Sequence, residues 1–492
     1  MQQLPDLSQL SHAQKDELIH ALWAMVQALT AQVQAQQVQL TAQQVQINEL
    51  QARLNQNSRN SSKPPSSDGL NKPKPKSLRK AGERPVGGPK GHKGNTLSQV
   101  AEPDHVITHA PPGHCDHCHS RLEIAGATTL ESRQVFELPS LKREVTEHRV
   151  LQTRCSCGQL QRGQFPAAVA ASVQYGPRVL AAAVHLNQHH MVPLKRSASL
   201  MGELFGLSMS EATILSANAQ AADALTSTVS AIKQAFVTQP TVHADETGLR
   251  VAKSLHWLHT LVTEKLTWVA RHAKRGAEAF EAFAVLPLFK GVLIHDGWKP
   301  YRALDCLHGL CNAHHLRELT YVAEELKQDW AQDLIEVLTH ANSCDRANRE
   351  GGQQPDYTGA QYQLELRDLR DLYEAILAQG EAMNPRAEPT GKRGRTKQSK
   401  PTNLLKRLRE FDDDVWRFMS QAQVPFTNNL AEQAVRMPKV KQKISGGFRT
   451  VEGADIYCQI RSYLATMHKQ EANLFDALTQ TFRGAPPQPN FG

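Results

Sequence analysis

A seven-residue apolar repeat near the N-terminus places the strongest constraint on how this chain folds. The first seam contains Ile19, Val26, Val33, Leu40, Ile47 and Leu54, and the second contains Leu22, Leu29, Gln36, Gln43 and Leu50. A heptad pattern of this length predicts a coiled coil over residues 13–56, and the β-branched residues of the first seam favour two parallel helices. The expected partner is a second copy of the chain, and the alternative is a solitary helix packed on its own chain.

A basic stretch rich in Pro, Gly and Ser follows the repeat. From Gln56 to Val100 the chain has ten Lys or Arg and two acidic residues. This composition cannot bury enough apolar surface to fold, which predicts a disordered linker over residues 57–100. A basic arm can also follow DNA phosphates, and the alternative is a solvated charge run without a partner.

Composition narrows the class of protein. The 492 residues include 56 Lys and Arg against 48 Asp and Glu, and 40% of the chain is hydrophobic. That balance is typical of a globular protein, and the length suggests about three domains. No apolar run approaches the roughly 18 residues of a transmembrane helix, and the N-terminus lacks a signal-peptide pattern. We therefore expect a cytoplasmic protein.

Four of the eight cysteines form two close pairs within residues 101–165. Two residues separate Cys115 from Cys118, and one separates Cys155 from Cys157. Two such pairs can supply the four thiolates of a tetrahedral Zn²⁺ site, so we predict a small zinc-binding unit built from short strands. A closed site of this kind is structural rather than catalytic. The alternative is four unpaired thiols in a reducing compartment.

Residues 166–235 are rich in alanine and predict helices. Leu194 to Leu204 would form the first helix of a helix-turn-helix, with the turn at Gly206 and Ser208 as the cap of the second helix. The alternative is a helical hairpin packed in the core. The predicted DNA contacts of this unit are Lys195, Arg196, Ser210 and Thr213.

Residues 236–315 show the order strand, strand, strand, helix, strand. Asp245 ends the first of these strands, and Asp296 ends the fourth. That order fits a ribonuclease-H-like sheet, in which the first and fourth strands are neighbours, so the two carboxylates would meet although 51 positions separate them. Two close carboxylates repel unless a cation lies between them, and Mg²⁺ prefers such oxygen ligands.

A third carboxylate on a helix would complete this site, and Glu432 is the candidate. Its alternative role is a helix cap or an ion pair one turn along its helix. Glu246 competes with Asp245, but strand alternation places Asp245 on the face opposite Ala244. For Asp245 and Asp296 the alternative is a turn role before a nearby glycine.

Imidazole and basic groups stand close to these acids in the sequence. His314, His315 and Arg317 follow the second acid and would hold phosphate or support the metal site. No acid stands between Met437 and Arg449, so this segment would place positive charge beside the site. The alternatives are satisfied helix residues and a solvated face. The DNA contacts predicted here are Arg436, Lys439, Lys441, Lys443 and Arg449.

Several strings in one order resemble a known family. They are LNQNSRNSSKPPSSDG after the heptad helix, the cysteine unit, YGPRV, HADETG, HDGW, CNAHHLRE and NNLAEQAVR. Over about residues 13–480 they resemble the large transposase of the bacterial insertion-sequence sixty-six family. The chain departs from the commoner form of the family at CNAHHLRE, where an aromatic residue often follows the cysteine.

The resemblance implies an Asp-Asp-Glu transposase with a ribonuclease-H-like core. Asp245 in HADETG matches the first acid, Asp296 in HDGW the second and Glu432 in NNLAEQAVR the third. The segment between Asp296 and Glu432 is similar to the helical insertion of some transposases. The family also implies DNA as partner and two small accessory proteins encoded beside the transposase.

These patterns together predict a multidomain protein that mixes α+β and α/β organisation. The predicted parts are a coiled coil at 13–56, a basic linker at 57–100, a zinc-binding domain at 101–165, a helical DNA-binding region at 166–235, the first part of the core at 236–315, a helical insertion at 316–424 and the helical end of the core at 425–485.

The functional hypothesis is a Mg²⁺-dependent DNA transposase that acts on the ends of an insertion sequence and associates with the nucleoid when bound to DNA. Asp245, Asp296 and Glu432 would hold two Mg²⁺ ions roughly 3.5–4 Å apart, for cleavage by water and transfer by the freed 3′ hydroxyl. Two other classes stay open. One is a zinc-containing dimeric DNA-binding regulator without catalysis, and the other is a metal-dependent nuclease that cuts without joining.

Overall fold

The structure is a computed structural model that describes residues 7–61, 68, 97–123, 125, 127–138, 143–350, 355–389 and 396–492. Most of the predicted linker lies outside these residues. None of the described helices is both long and apolar enough to cross a membrane. The described elements combine many helices with a mixed five-stranded sheet, which is an α+β organisation.

Helix α1 runs from His12 to Leu54, as the heptad repeat predicts. A capping box starts it, because the Ser11 hydroxyl accepts the Gln14 N–H and the Gln14 side chain accepts the Ser11 N–H. The seam is exposed in the single chain, with Ile19 61% and Val26 52% accessible. A coiled-coil partner would bury such a stripe, and this pairing stays a prediction.

Residues 97–165 are mainly extended chain with turns. Among the described residues of this range, the paired strands are β1, Gln152–Arg154, and β2, Leu160–Arg162, which form an antiparallel hairpin. The other short strands predicted here form no ladder within the described residues, so that part of the prediction is wrong. Their apolar side chains have no layer to pack against, since Val135, Leu138 and Val145 are all exposed.

The predicted helical region contains three α-helices. Helix α2, Pro177–Val184, continues into a π-helical turn, and α3, Leu194–Phe205, precedes α4, Glu211–Ala235. Gly206 ends α3 in the left-handed conformation at φ 62°, which confirms the predicted turn. Helix α4 begins later than predicted, because Ser210 rather than Ser208 caps it.

Five strands form the central sheet. They are β3, Thr241–Val251; β4, Ser254–Val262; β5, Thr267–His272; β6, Val292–His295; and β7, Leu307–Leu310. Their order is β5-β4-β3-β6-β7, with antiparallel pairing from β5 to β3 and parallel pairing from β3 to β7. The first and fourth strands of the predicted run are therefore neighbours, which confirms that expectation. Helix α5, Ala277–Phe283, precedes β6, as predicted. Strand β7 has only four residues, too few for an alternating pattern in the sequence.

Helices cover both faces of the sheet. On one face α4 packs with α13, Val451–Lys469, and α14, Leu474–Phe482, over side chains that include Leu293. On the other face Val292 and Ile294 join the core of the helical insertion. Strand alternation explains this division, because successive side chains of β6 point to opposite faces.

The segment predicted to be a helical insertion forms helices, and its role as an insertion stays a prediction. They are α6, Asn312–Glu325; α7, Asp329–Glu350; α8, Ala360–Met383; α9, Lys400–Glu410; and α10, Asp412–Trp416. Trp330, Tyr373 and Trp416 fill its core. Two short helices, α11, Asn429–Ala434, and α12, Arg436–Ser445, then lead to Gly446 and Gly447, which precede α13.

The chain just after α1 is attached to the end of α6. Arg59 forms an ion pair with Glu324, and Asn60, which is 1% exposed, donates to Glu325 at 3.5 Å. The prediction of a disordered linker from residue 57 onward is therefore wrong for residues 57–61. The side chains of residues 57–61 are polar, so their sequence does not indicate packing. Their contacts with Glu324 and Glu325 of α6 show it.

Candidate active site

Asp245 lies in β3, and Asp296 follows directly after the neighbouring parallel strand β6. His243 of β3 pairs with Ile294 of β6, and each acid stands two residues further along its chain. Adjacent strands are about 4.8 Å apart and side chains alternate, so both acids face the same side of the sheet. Strand β3 continues to Val251, so Asp245 lies within the strand, and the prediction that it ends the strand is wrong.

Backbone amides orient both carboxylates. Asp245 Oδ1 accepts the N–H of Glu246 at 2.8 Å, and Asp296 Oδ1 accepts the N–H of Trp298 at 2.8 Å. Gly297 lies between Asp296 and Trp298 with φ 86°, as a tight turn requires. Asp296 therefore has the turn role that was its alternative, and it also follows the strand that pairs with the strand of Asp245.

Asn428 connects the helix of the third acid to the sheet. It is 1% exposed, its Oδ1 accepts from His243 Nδ1 at 2.8 Å, and its amide donates to the carbonyl of Ala244 at 2.8 Å. These bonds place α11 beside β3. Glu432 lies in the first turn of α11 and interacts electrostatically with Asp245.

Negative charge accumulates at this end of the sheet. Burial raises the pKa of Asp245 well above its usual range, and the charges of Glu246, Asp296 and Glu432 raise it further. Within the described part of the chain, no Lys or Arg forms a salt bridge with Asp245 or Asp296. Partly buried carboxylates that repel one another are the setting that a divalent cation stabilises.

Glu432 also belongs to a cluster with the start of α6. Its Oε1 lies 4.0 Å from Cys311 Sγ and 3.8 Å from His314 Nδ1, and its Oε2 lies 3.6 Å from Arg317. The donor atoms of Cys311, His314 and Glu432 all lie within 4.8 Å of one another. Two such groups occur in the described residues, and neither includes another of the three acids.

The two adjacent histidines of α6 have different surroundings. His314 Nδ1 is buried and has no hydrogen-bond partner among the described residues. His315 is 2% exposed, and its Nδ1 donates to Asn312 at 3.0 Å. Burial lowers the pKa of His315 well below its usual value. Of the predicted supporting residues, His314 and Arg317 thus approach Glu432, and His315 packs within α6.

Glu246 is held in a polar cluster that the sequence does not indicate. Arg275 Nε donates to its Oε1 at 2.8 Å, and the Tyr301 hydroxyl donates to its other oxygen. The guanidinium of Arg275 also lies 4.0 Å from the ring of Trp298. Burial raises the pKa of Glu246 despite these partners. No local pattern links residues 29 positions apart, so only the fold shows that the Glu246 carboxylate has a cationic partner while Asp245 forms no salt bridge within the described residues.

The basic segment on α12 is tied to β3. Lys439 Nζ donates to the carbonyl of Gly248 at 2.7 Å, and the N–H of Phe448 donates to the carbonyl of Arg250 at 2.9 Å. Lys439 therefore connects α12 to the sheet, and Lys441 is also partly buried. The predicted DNA contacts that stay exposed in this segment are Arg436, Lys443 and Arg449.

The predicted helix-turn-helix residues divide in a similar way. Lys195 and Arg196 are exposed on α3. Ser210 and Thr213 are engaged in the cap of α4, because the Ser210 hydroxyl accepts the Thr213 N–H at 3.1 Å. Helix α4 is 25 residues long, and its buried side chains run from Ile214 to Ile232. Most of it is therefore a core helix.

Each cysteine pair forms a turn of its own. Hydrogen bonding to Ser120 lowers the pKa of Cys118, and hydrogen bonding to Cys157 lowers the pKa of Cys155. Neither metal-ligand group of the described residues contains Cys115 or the other three thiols. The structure presents two separate turns, and their union around one Zn²⁺ ion stays a prediction.

Comparison with known protein families shows which family this protein belongs to. Residues 172–456 match the family described as Transposase IS66 family, which covers more than half of the chain. The protein therefore belongs to the Transposase IS66 family, and the resemblance drawn from its motifs is confirmed. Residues 2–98 match a second model, described as Family of unknown function (DUF6444). No curated protein matches the chain. Membership supports a transposase role on DNA.

Proposed function

We propose that this transposase cuts and joins DNA through an Asp-Asp-Glu triad on a ribonuclease-H-like core. The observation that supports this most is that Asp245 and Asp296 each stand two residues beyond His243 and Ile294, which pair on neighbouring parallel strands. Glu432 reaches the same region because Asn428 fastens α11 to β3. The strand order, with helices on both faces, is compatible with such a core.

The three acids fit a hard divalent cation such as Mg²⁺. Their oxygens are the preferred ligand type. Burial raises the pKa of Asp245, and the neighbouring carboxylates raise it further. Asp245 and Asp296 would hold two such ions from the sheet, and Glu432 would hold them from α11. When bound, the ions would stabilise the attacking and leaving oxygens of an in-line displacement.

The chain's own residues would prepare the reaction. Asn428 fixes the helix of Glu432, and Arg317 lies 3.6 Å from its carboxylate, so both orient the third acid. Exposed basic residues on α3 and α12 would bind DNA phosphates without reading sequence. Water would attack at the element's end first, and the freed 3′ hydroxyl would then attack target DNA.

The remaining parts would assemble the complex. The exposed seam of α1 would pair two copies, so two DNA ends are held together. The two cysteine turns within residues 101–165 would join around a structural Zn²⁺ ion. The chain would divide into the seven predicted parts, except that residues 57–61 belong with the helix α6 that they contact. The small accessory proteins expected for the family would act with this assembly.

A cleavage and joining assay on linear DNA with the element's end tests the proposal. Wild type and Asp296→Asn are compared in Mg²⁺, with DNA binding measured in parallel. Asp305→Asn is the matched control, because its side chain is 95% exposed. We expect wild type and the control to cut and join, and Asp296→Asn to bind DNA without reacting.

Other outcomes favour other functions. If Asp296→Asn reacts as fast as wild type, the acid assignment is wrong. If wild type cuts but never joins, the protein is a nuclease. If wild type binds and does not react, even with the products of the neighbouring genes added, a DNA-binding regulator is the better description.

A further inference from the structure

Two helices of the insertion bring a second set of metal-ligand side chains together. His340 and Cys344 stand four residues apart on α7, so they share one face of that helix. Glu365 of α8 faces them across the helix pair. None of the three belongs to the acid site or to the four-cysteine unit.

The donor atoms of these residues are already close. Cys344 Sγ lies 3.0 Å from Glu365 Oε1, and His340 Nε2 lies 3.2 Å from the same oxygen. All three donor atoms lie within 4.8 Å of one another. Zinc–ligand bonds of about 2.0–2.3 Å at tetrahedral angles separate neighbouring ligands by roughly 3.3–3.7 Å. The two distances to Glu365 Oε1 are therefore already within about 0.7 Å of the separation that such an ion needs.

The surroundings suit an ion that enters from solvent. The His340 side chain is 59% exposed and that of Glu365 is 39% exposed. Cys344 is partly buried and packs against the core of the insertion. Three protein ligands leave a fourth tetrahedral position for water. A thiolate, an imidazole and a single carboxylate select Zn²⁺ or Co²⁺ over Mg²⁺, which avoids sulfur.

We propose that His340, Cys344 and Glu365 form a site for a zinc-class divalent ion that braces α7 against α8. On binding, the metal–sulfur bond replaces the thiol hydrogen bond to Glu365, and the thiol proton passes to solvent. This site goes beyond the proposed DNA chemistry and does not depend on it.

The site also adjoins a network that reaches towards α11. Asp345 follows Cys344 and accepts from Arg349 Nε at 2.7 Å. The same guanidinium donates to the carbonyls of Phe418 at 3.3 Å and Val424 at 2.9 Å. A bound ion would thus stiffen the helix pair that anchors the chain leading to α11.

Cobalt titration of the full-length, metal-free protein tests this site. All samples carry Cys115→Ser, Cys118→Ser, Cys155→Ser and Cys157→Ser, so the four-cysteine unit contributes no signal. We expect one thiolate-bound Co²⁺ per chain, identified by the near-ultraviolet band of a single thiolate–cobalt bond. Added Zn²⁺ should displace Co²⁺ and raise the melting temperature.

Three variants identify the ligands. Cys344→Ser should remove the charge-transfer band, and Glu365→Gln should weaken Co²⁺ binding by at least the roughly 10–100-fold that loss of an outer-shell partner costs. Cys306→Ser, the control, should keep both band and affinity, because Cys306 belongs to neither metal-ligand group of the described residues. Absence of the band before Cys344 is changed, or its survival in Cys344→Ser, would overturn the proposal.

A second measurement covers the case in which the protein with the four Cys→Ser substitutions does not fold. If circular dichroism shows that this background does not fold, wild type and Cys344→Ser are compared directly for bound Zn²⁺. Wild type should then hold one more equivalent than the variant. Equal metal content would reject the site.

Discussion

The molecule contains two clusters of Cys, His and Glu that share their donor types and differ in their surroundings. In the first, Cys311 is 1% exposed, its Sγ accepts the N–H of Asn428 at 3.2 Å, and Glu432 lies 3.6 Å from Arg317. In the second, on α7 and α8, the thiol hydrogen-bonds directly to the carboxylate, and the histidine and carboxylate are open to solvent.

The difference shows that a set of ligand types does not by itself define a metal site. In the first cluster the thiol is engaged by the backbone and the carboxylate has a cation beside it. That cluster is better suited to orient Glu432 towards Asp245 and Asp296 than to hold an ion by itself. In the second cluster the three donors meet one another directly, which favours capture of an ion from solvent.

The largest effect is expected from Glu432→Gln. Metal-held charge contributes several kcal/mol to such reactions, and each 1.4 kcal/mol is tenfold, so joining should fall by about three orders of magnitude. DNA affinity should change little. The measurement is single-turnover joining in Mg²⁺, with the exposed Glu452→Gln as matched control. Wild-type joining by Glu432→Gln would leave the first cluster without a catalytic role.

A smaller effect is expected on the free energy of unfolding when each of the two thiols is removed. Cys311→Ala removes a buried sulfur and leaves the N–H of Asn428 without its acceptor, so unfolding should become easier by about 2–3 kcal/mol. Cys344→Ala in metal-free buffer should cost about 1 kcal/mol or less, because its partner Glu365 can turn to water. Urea unfolding of both variants measures this. Equal losses would show that the two clusters are equally embedded, contrary to the comparison.

The smallest effect concerns His259, a buried histidine of strand β4. His259 is 4% exposed and its Nδ1 has no hydrogen-bond partner in the described residues. Burial lowers its pKa to about 4. The unfolded chain, with a histidine pKa near 6.5, then binds the proton more readily than the folded one. Stability should therefore fall as pH falls from about 6.5 to 4, by at most about 3 kcal/mol from this residue.

His259→Phe should make that loss shallower by roughly 1–2 kcal/mol, since an apolar ring has no proton to bind. The ring would lie beside Phe283, whose ring centroid is 5.3 Å away. Chemical denaturation at pH 7, 6 and 5 gives the slope, and the exposed His148→Phe is the control. An unchanged slope would mean that other groups cause the acid sensitivity of the sheet.

Local patterns predicted much of the fold. The heptads predicted α1, alternation predicted β3 to β6, and helical periodicity predicted the insertion and the C-terminal helices. These features depend on neighbours a few positions away, so they are visible in the sequence alone. Strand β7 and the extended chain around Val135 were not predictable in this way, because a short apolar run forms a strand only where a partner strand or layer exists.

The candidate site divides along the same line. The sequence by itself determined the residue types, the acids beside predicted strands, and the family to which the motifs point. Only the tertiary structure decided that His243 pairs with Ile294, two residues before Asp245 and Asp296. It also decided that Glu246 forms an ion pair with Arg275. Strand register and packing depend on residues far apart in the chain, and no local periodicity records which of them meet.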